Sequence, residues 1–204
     1  MFDSRLSTAG ELCAYQSTVA TSEGQPGTVD PSRIPAGSYR VDSDHTHVVW
    51  TVNHMGFSLL EGMFGAVGGS MTIHPEGVAG SHVEVEFNID DPTVTSNAFA
   101  RHLKSTDLFD TGRFPLARFV STEVIRTSAD RATVSGELTL RGITKPVELQ
   151  SLFVGAGRNP MNDELNFGFT AIATLRRSDF GLDFIVPAVS DIVKLRINAA
   201  FKAE

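Results

Sequence analysis

His102-Leu-Lys-Ser-Thr-Asp-Leu-Phe-Asp-Thr-Gly-Arg-Phe-Pro115, followed after one strand by Gly136-Glu-Leu-Thr-Leu-Arg-Gly-Ile-Thr-Lys-Pro-Val-Glu-Leu149, is the stretch that decides the fold. It leaves a short polar helix, passes an Asp/Gly/Pro turn and enters alternating strands joined by a tight hairpin. Arg141-Gly142-Ile143-Thr144 can close that hairpin, because Gly142 is free to take a positive φ. No catalytic signature lies within it.

Outward from this stretch the signal is period two. His47 to His54 alternates Val48, Trp50 and Val52 with Val49, Thr51 and Asn53. Ser81 to Ile89 sets Val83, Val85, Phe87 and Ile89 against His82, Glu84, Glu86 and Asn88, the pattern of a strand with one buried and one wet side. Ala117–Ile125, Arg131–Leu140, Val147–Val154, Leu165–Leu175 and Asp191–Phe201 repeat it. His74-Pro75-Glu76-Gly77 reads as a turn. Ser96 to Lys104 opens on good N-cap residues and puts Phe99, His102 and Leu103 on one helical face, which predicts a short helix. Gly62, Gly65, Gly68 and Gly69 lack the Lys-Ser/Thr of a phosphate loop and suit a sharply bent barrel strand instead. Roughly eight strands, short links, one helix and no βαβ rhythm predict an all-β antiparallel barrel or sandwich. A barrel of about eight strands is just wide enough inside for one small ligand.

The chain has 204 residues and is 41% hydrophobic, enough for one domain with a real core. Residues 1–33 are rich in Ser, Thr, Gly and Pro and read as a flexible N-terminal tail or a loosely docked arm, with the folded domain at 34–204. Fourteen Phe against one Trp and two Tyr favour a dry interior. A net charge of −7 without basic clusters argues against nucleic acid and anionic membrane surfaces. A single Cys13 excludes an intrachain disulfide and cysteine-based zinc sites, and it reads as an inert thiol. No window approaches the roughly 18 apolar residues of a transmembrane helix. Asp3, Arg5, Glu11 and Glu23 interrupt every apolar run before Val29, so no secretory leader is read and the expectation is cytoplasmic. A leader lost from the start of the chain would make it periplasmic or secreted.

His45-x-His47 has a spacing that can ligate zinc if both lie on one strand, which leaves a metal-dependent enzyme as the alternative function. No third ligand stands at matching spacing, so no metal site is assigned and the histidines are expected to make structural hydrogen bonds. Gly-x-Ser-x-Gly, His-Glu-x-x-His and phosphate-loop motifs are absent from the sequence. The stronger candidates are strand aromatics that would line a lumen: Trp50, Phe64, Phe87, Phe119, Phe153, Phe167 and Phe169.

Several motifs in order carry a family resemblance. They are Tyr39-Arg-Val-Asp42-Ser-Asp44-His45-Thr-His47, His54-Met-Gly-Phe57, Gly62-Met-Phe-Gly65, the His102 to Phe119 segment and the Gly136 to Pro146 hairpin. Phe167-Gly-Phe169, Arg177-Ser-Asp-Phe-Gly181 and Ser190-Asp-Ile-Val193 complete the series. From Ile34 to Glu204 the chain resembles the YceI-like family of lipocalin-shaped lipid-binding proteins. The resemblance implies an eight-stranded antiparallel lipocalin-like barrel with a short helix near its mouth. It also implies a non-catalytic role, a lumen holding a polyisoprenoid, isoprenoid quinone, fatty acid or fatty amide as the ligand, no other cofactor, and a homodimer. Phe57, Phe99, His102 and Phe184 join the candidate contacts at the lumen and mouth, with the helix at Asn97–Lys104 and the loop Phe180–Val189 flanking the entrance. One departure stands out: Phe99-Ala100 occupies the place where the family usually has Arg-Asp, so apolar side chains replace a charged pair beside the entrance.

Overall fold

The computed structural model describes residues 24–75 and 77–204. The reading of Cys13 and that of the first residues as lacking a leader lie outside the described residues. Nine strands follow one another: β1 Gly37–Val41, β2 His47–His54, β3 Ser58–His74, β4 Gly77–Asn88, β5 Leu116–Arg126, β6 Arg131–Leu140, β7 Ile143–Arg158, β8 Leu165–Arg176 and β9 Ile192–Ala203. Among the described residues one α-helix, α1 (Asn97–Lys104), interrupts them between β4 and β5.

Every pairing is antiparallel, and β3 pairs with β4 to close the sheet on itself. Closure leaves eight lanes for nine strands, because β1 and β2 share one lane between β3 and β9. The break between them is a 3-10 turn at Ser43–His45. Thr46 bridges it: its Oγ1 accepts from the Ala200 amide (2.9 Å) and donates to the Ala200 carbonyl (3.2 Å), standing in for the missing ladder bonds. Asp42 anchors the same corner through His45 Nδ1 at 2.7 Å and Lys202 Nζ at 3.1 Å. The result is the expected closed eight-stranded barrel with one short helix.

Local chemistry accounts for the joints. Arg141 and Gly142 both take positive φ (52° and 73°), which matches the twist of a two-residue hairpin between paired Leu140 and Ile143. The chain turns between His74 and Gly77, where a turn was predicted. Ser96 Oγ accepts from the Phe99 amide and starts α1 one residue inside the predicted span. β3, the longest strand, escapes the period-two reading. Its bulge between Ala66 and Gly68 reverses the phase of alternation halfway along, and its glycines blank several positions.

The N-terminal boundary also shifts. β7 extends past the start of β6, and the backbone of Thr28 takes up the vacated edge by bonding Ala156 in both directions at 3.0 Å. Gly157 permits this approach, since a Cβ there would come within 2.7 Å of the Pro26 carbonyl carbon. Arg33 Nη1 donates to Thr28 Oγ1 (2.8 Å), and Tyr39 Oη donates to the Pro35 carbonyl (2.6 Å). Residues 24–33, read from composition as a flexible tail or a loosely docked arm, are docked on the barrel. Their edge pairing was invisible in a sequence without alternation.

Candidate functional site

Strand direction defines the two ends. The β2–β3 and β6–β7 hairpins, the 89–115 crossover with α1, and the 177–191 loop gather at one end. The arm, the β3–β4 and β5–β6 hairpins and the 158–165 turn lie at the other.

Inside runs a cavity of about 660 Å³, within the range of small-molecule sites. Its walls come from the inward member of each alternation: Val48, Trp50 and Val52 on β2, Val85 and Phe87 on β4, Val193, Leu195 and Ile197 on β9. Between these walls the lining is almost wholly apolar, and the ionisable side chains stand at the ends. His74, His82, Arg126, Asp130 and Arg131 border the arm end, whereas His54, His102 and Arg177 border the helix end.

Aromatic clusters close in from both ends. At the helix end Trp50 packs against Phe64 (6.5 Å between centroids) and edge-on to Phe99 of α1 (6.4 Å), and Phe64 meets Phe109 edge-on (5.4 Å). Gly62, opposite Trp50 on β3, makes this possible, because a Cβ there would overlap the indole. At the arm end Phe167 stacks on Phe201 (5.4 Å) and receives Tyr39 edge-on (4.8 Å).

Of the candidates, Trp50, Phe64, Phe87, Phe99, His102, Phe119, Phe153, Phe169 and Phe184 line the cavity. Two candidates do not. Phe167 points inward but at the level where Tyr39 and Phe201 fill the barrel, so its ring is part of the plug. Phe57 ends the β2–β3 loop beyond both strands and is 83% exposed. The sequence reading also missed the aliphatic majority of the wall, such as Leu60, Met71, Ile73, Leu138 and Leu195. The alternation was legible for Leu138 and Leu195, where a search weighted to Phe passed over them, but not for Leu60, Met71 and Ile73 on β3, whose bulge shifts its phase.

The helix-end loop is organised by Arg177, which is only 6% exposed. Its guanidinium donates to the carbonyls of Ser190 (2.9 Å), Leu182 (2.5 Å), Phe184 (3.0 Å) and Val189 (2.9 Å), so one side chain gathers both limbs of the loop. Burial pushes its pKa down, with Asp191 and Asp183 opposing; an arginine still remains charged at physiological pH. The same loop is tied to the β2–β3 tip, where Met55 N donates to the Ala188 carbonyl at 2.9 Å. It reaches α1 through the edge-on contact of Phe184 with His102 (5.4 Å). Helix and loop thus border the cavity together, as expected of a mouth.

The two histidines considered for zinc do not share a strand face. His45 falls in the 3-10 turn and bonds Asp42, while His47 begins β2 and its Nε2 lies 3.1 Å from Asn198 Nδ2. Burial, with Arg196 nearby, holds the His47 pKa below its ordinary value. Among the described residues no three His, Cys, Asp or Glu side chains group as a metal site.

Comparison with known proteins places this architecture. A YceI-like domain model matches residues 39–201. A UPF0312 protein of Vibrio cholerae is 34% identical over 172 residues, 82% of this chain and 88% of its own. A UPF0312 protein of Pseudomonas putida is 36% identical over 151 residues, 72% of this chain and 77% of its own. Among solved structures, Burkholderia cenocepacia BcnA superposes with a TM-score of 0.66 at 19% identity, covering 78% of this chain and 98% of that one. A polyisoprenoid binding domain from Saccharophagus degradans gives 0.59 at 13% identity, over 81% and 98%. At such identities the structural likeness speaks for the fold, and the sequence matches speak for descent. The chain belongs to the YceI-like family.

Proposed function

We propose that this protein binds and carries one long apolar chain, such as a polyisoprenoid, an isoprenoid quinone, a fatty acid or a fatty amide, without transforming it. The observation that carries this reading is the apolar cavity running between the two ends of the barrel. A dozen methylenes moved from water into such walls contribute about 10 kcal/mol at roughly 0.8 kcal/mol each. That is comparable to the 4–15 kcal/mol lost in translational and rotational freedom on association, so binding strength rises with chain length. The fold is one that a polyisoprenoid binding domain also uses, which supports the same ligand class. Phe99 and Ala100 at the mouth offer no charge to a head group, which suits a cargo held by its chain.

The test is denaturing extraction of protein purified from its native host, with mass spectrometry for prenyl quinones, polyprenols and fatty acids, followed by rebinding of each class found. A stoichiometric lipid is expected. Repeated recovery of empty protein that takes up none of these lipids refutes the reading.

A further inference from the structure

The helix end carries an apolar collar that extends beyond the ligand cavity. Phe57 is 83% exposed, Leu59 65%, Ile185 43%, Met55 42% and Phe184 37%. All five belong to the β2–β3 tip, the start of β3 or the 177–191 loop. Met55 is bonded to Ala188 of the loop, and His54 pairs with Val189, so the β2–β3 tip and the loop are locked together. Phe184 and Ile185 belong both to this collar and to the cavity lining. The collar and the lumen therefore share residues at this end, where His54, His102 and Arg177 are the ionisable side chains of the lining.

We infer that this collar is a docking surface for a lipid bilayer with neutral or zwitterionic head groups, against which the barrel loads or unloads its cargo. The inference rests on the carrier reading above. An apolar chain long enough to fill the cavity has almost no free concentration in water, and its reservoir is the bilayer. Exposed apolar patches of this kind mark interaction sites. Charge selects the kind of membrane. Several cations of this end are engaged within the protein, Lys104 with Asp90 at 3.0 Å, Arg113 with Asp110 at 3.5 Å and Arg176 with Asp191 at 3.3 Å, while Arg101 of α1 and Lys145 of β7 stand exposed. Arg141 is likewise engaged, with the carbonyls of Gly181 and Thr106. A net charge of −7 adds repulsion from anionic lipid. The opposite end is bordered by His74, His82, Arg126, Asp130 and Arg131, so it is the wrong end to meet hydrocarbon. A second copy seated on the collar would cover the opening it surrounds.

Flotation with phosphatidylcholine vesicles tests this, comparing wild type with the double variant Phe57→Asp, Leu59→Asp. Neither residue lines the cavity, so uptake of a pyrene-labelled fatty acid from vesicle-free solution serves as the control for the lumen and the fold. Wild type is expected to float, the double variant to float about tenfold less, and pyrene uptake from solution to be equal in both. Transfer of the pyrene lipid from vesicles to protein is expected to slow in step with flotation. The inference is overturned if wild type fails to float, if the double variant floats equally, or if flotation requires phosphatidylglycerol and vanishes with salt. It is also overturned if sedimentation shows a dimer abolished by the two substitutions while flotation is absent. Failure of wild type to take up the pyrene lipid from solution would instead refute the carrier reading.

Discussion

Replacing Arg177 with Met keeps much of the side chain's length and removes every donor from the loop it organises. Four carbonyls lose their partner: Ser190, Leu182, Phe184 and Val189. They are not equal. Leu182 is buried, Val189 and Ser190 are half-buried, and Phe184 is exposed enough for water to replace the guanidinium. A carbonyl left without a donor where water cannot reach costs roughly 1–3 kcal/mol, so two such groups out of four give about 2–6 kcal/mol. The cost falls on the 181–190 segment, because the β8–β9 ladder is intact on either side of it. Hydrogen exchange of the 181–190 amides should therefore accelerate by about 30-fold or more, with β8 and β9 amides much less affected. Lys should rescue only part of this, since a single ammonium cannot reproduce the planar fork. Exchange in 181–190 within threefold of wild type in the Met variant would refute the view that Arg177 holds the loop.

Four other outcomes follow from the same structure. The folded-state pKa of His47 is depressed, by burial first and by Arg196 second, so unfolding takes up a proton and stability declines as pH falls below about 6.5, the ordinary histidine value. Urea midpoints of His47→Gln should lack that decline; an unchanged slope between pH 6.5 and about 5 would refute it. Asp42 is also held below its ordinary 3.8: burial acts to raise it, but the bonds from His45 and Lys202 outweigh burial. Its stabilisation should persist above that value and be lost as pH falls through the folded pKa, a step that Asp42→Asn removes from the acid limb of the same titration. Gly62→Val would put Cβ within 2.6 Å of Trp50 Cε2 and 2.8 Å of Val94 Cγ1. It should cost about 1–3 kcal/mol and shift the emission of Trp50, the one tryptophan of the chain; unchanged emission and melting would show that the indole lies elsewhere. Phe99→Asp with Phe184→Asp should weaken lipid uptake while leaving the barrel folded, because a charge at the threshold must be desolvated as the chain passes. Wild-type uptake by that variant would move the mouth away from α1 and the loop.

The sequence by itself determined the strands whose two faces differ. On β2, β4 and β9 one face meets apolar side chains and the other meets water, and that contrast is written as strict alternation. The hairpin at Arg141-Gly142 and the helix at Asn97–Lys104 were legible for a similar reason, since turn and cap chemistry are local. The ordered motifs carried the barrel and the family, and strand alternation picked out aromatics most of which line the cavity.

The tertiary structure decided what depends on residues far apart in the chain. Parity showed that Phe167 and Phe169 share a face, but only the stack with Phe201 and Tyr39 made one of them plug and the other wall. Thr28 pairs with Ala156 across more than half the chain, so the arm's docking left no local trace. Two strands in one lane, joined by Thr46 in place of ladder bonds, became visible only once β3 and β9 lay on either side. The collar around the mouth is likewise a product of closure. Phe57 and Ile185 are scattered single residues in the sequence, and the barrel brings them to one rim because hairpin tips and loops must emerge where strands end.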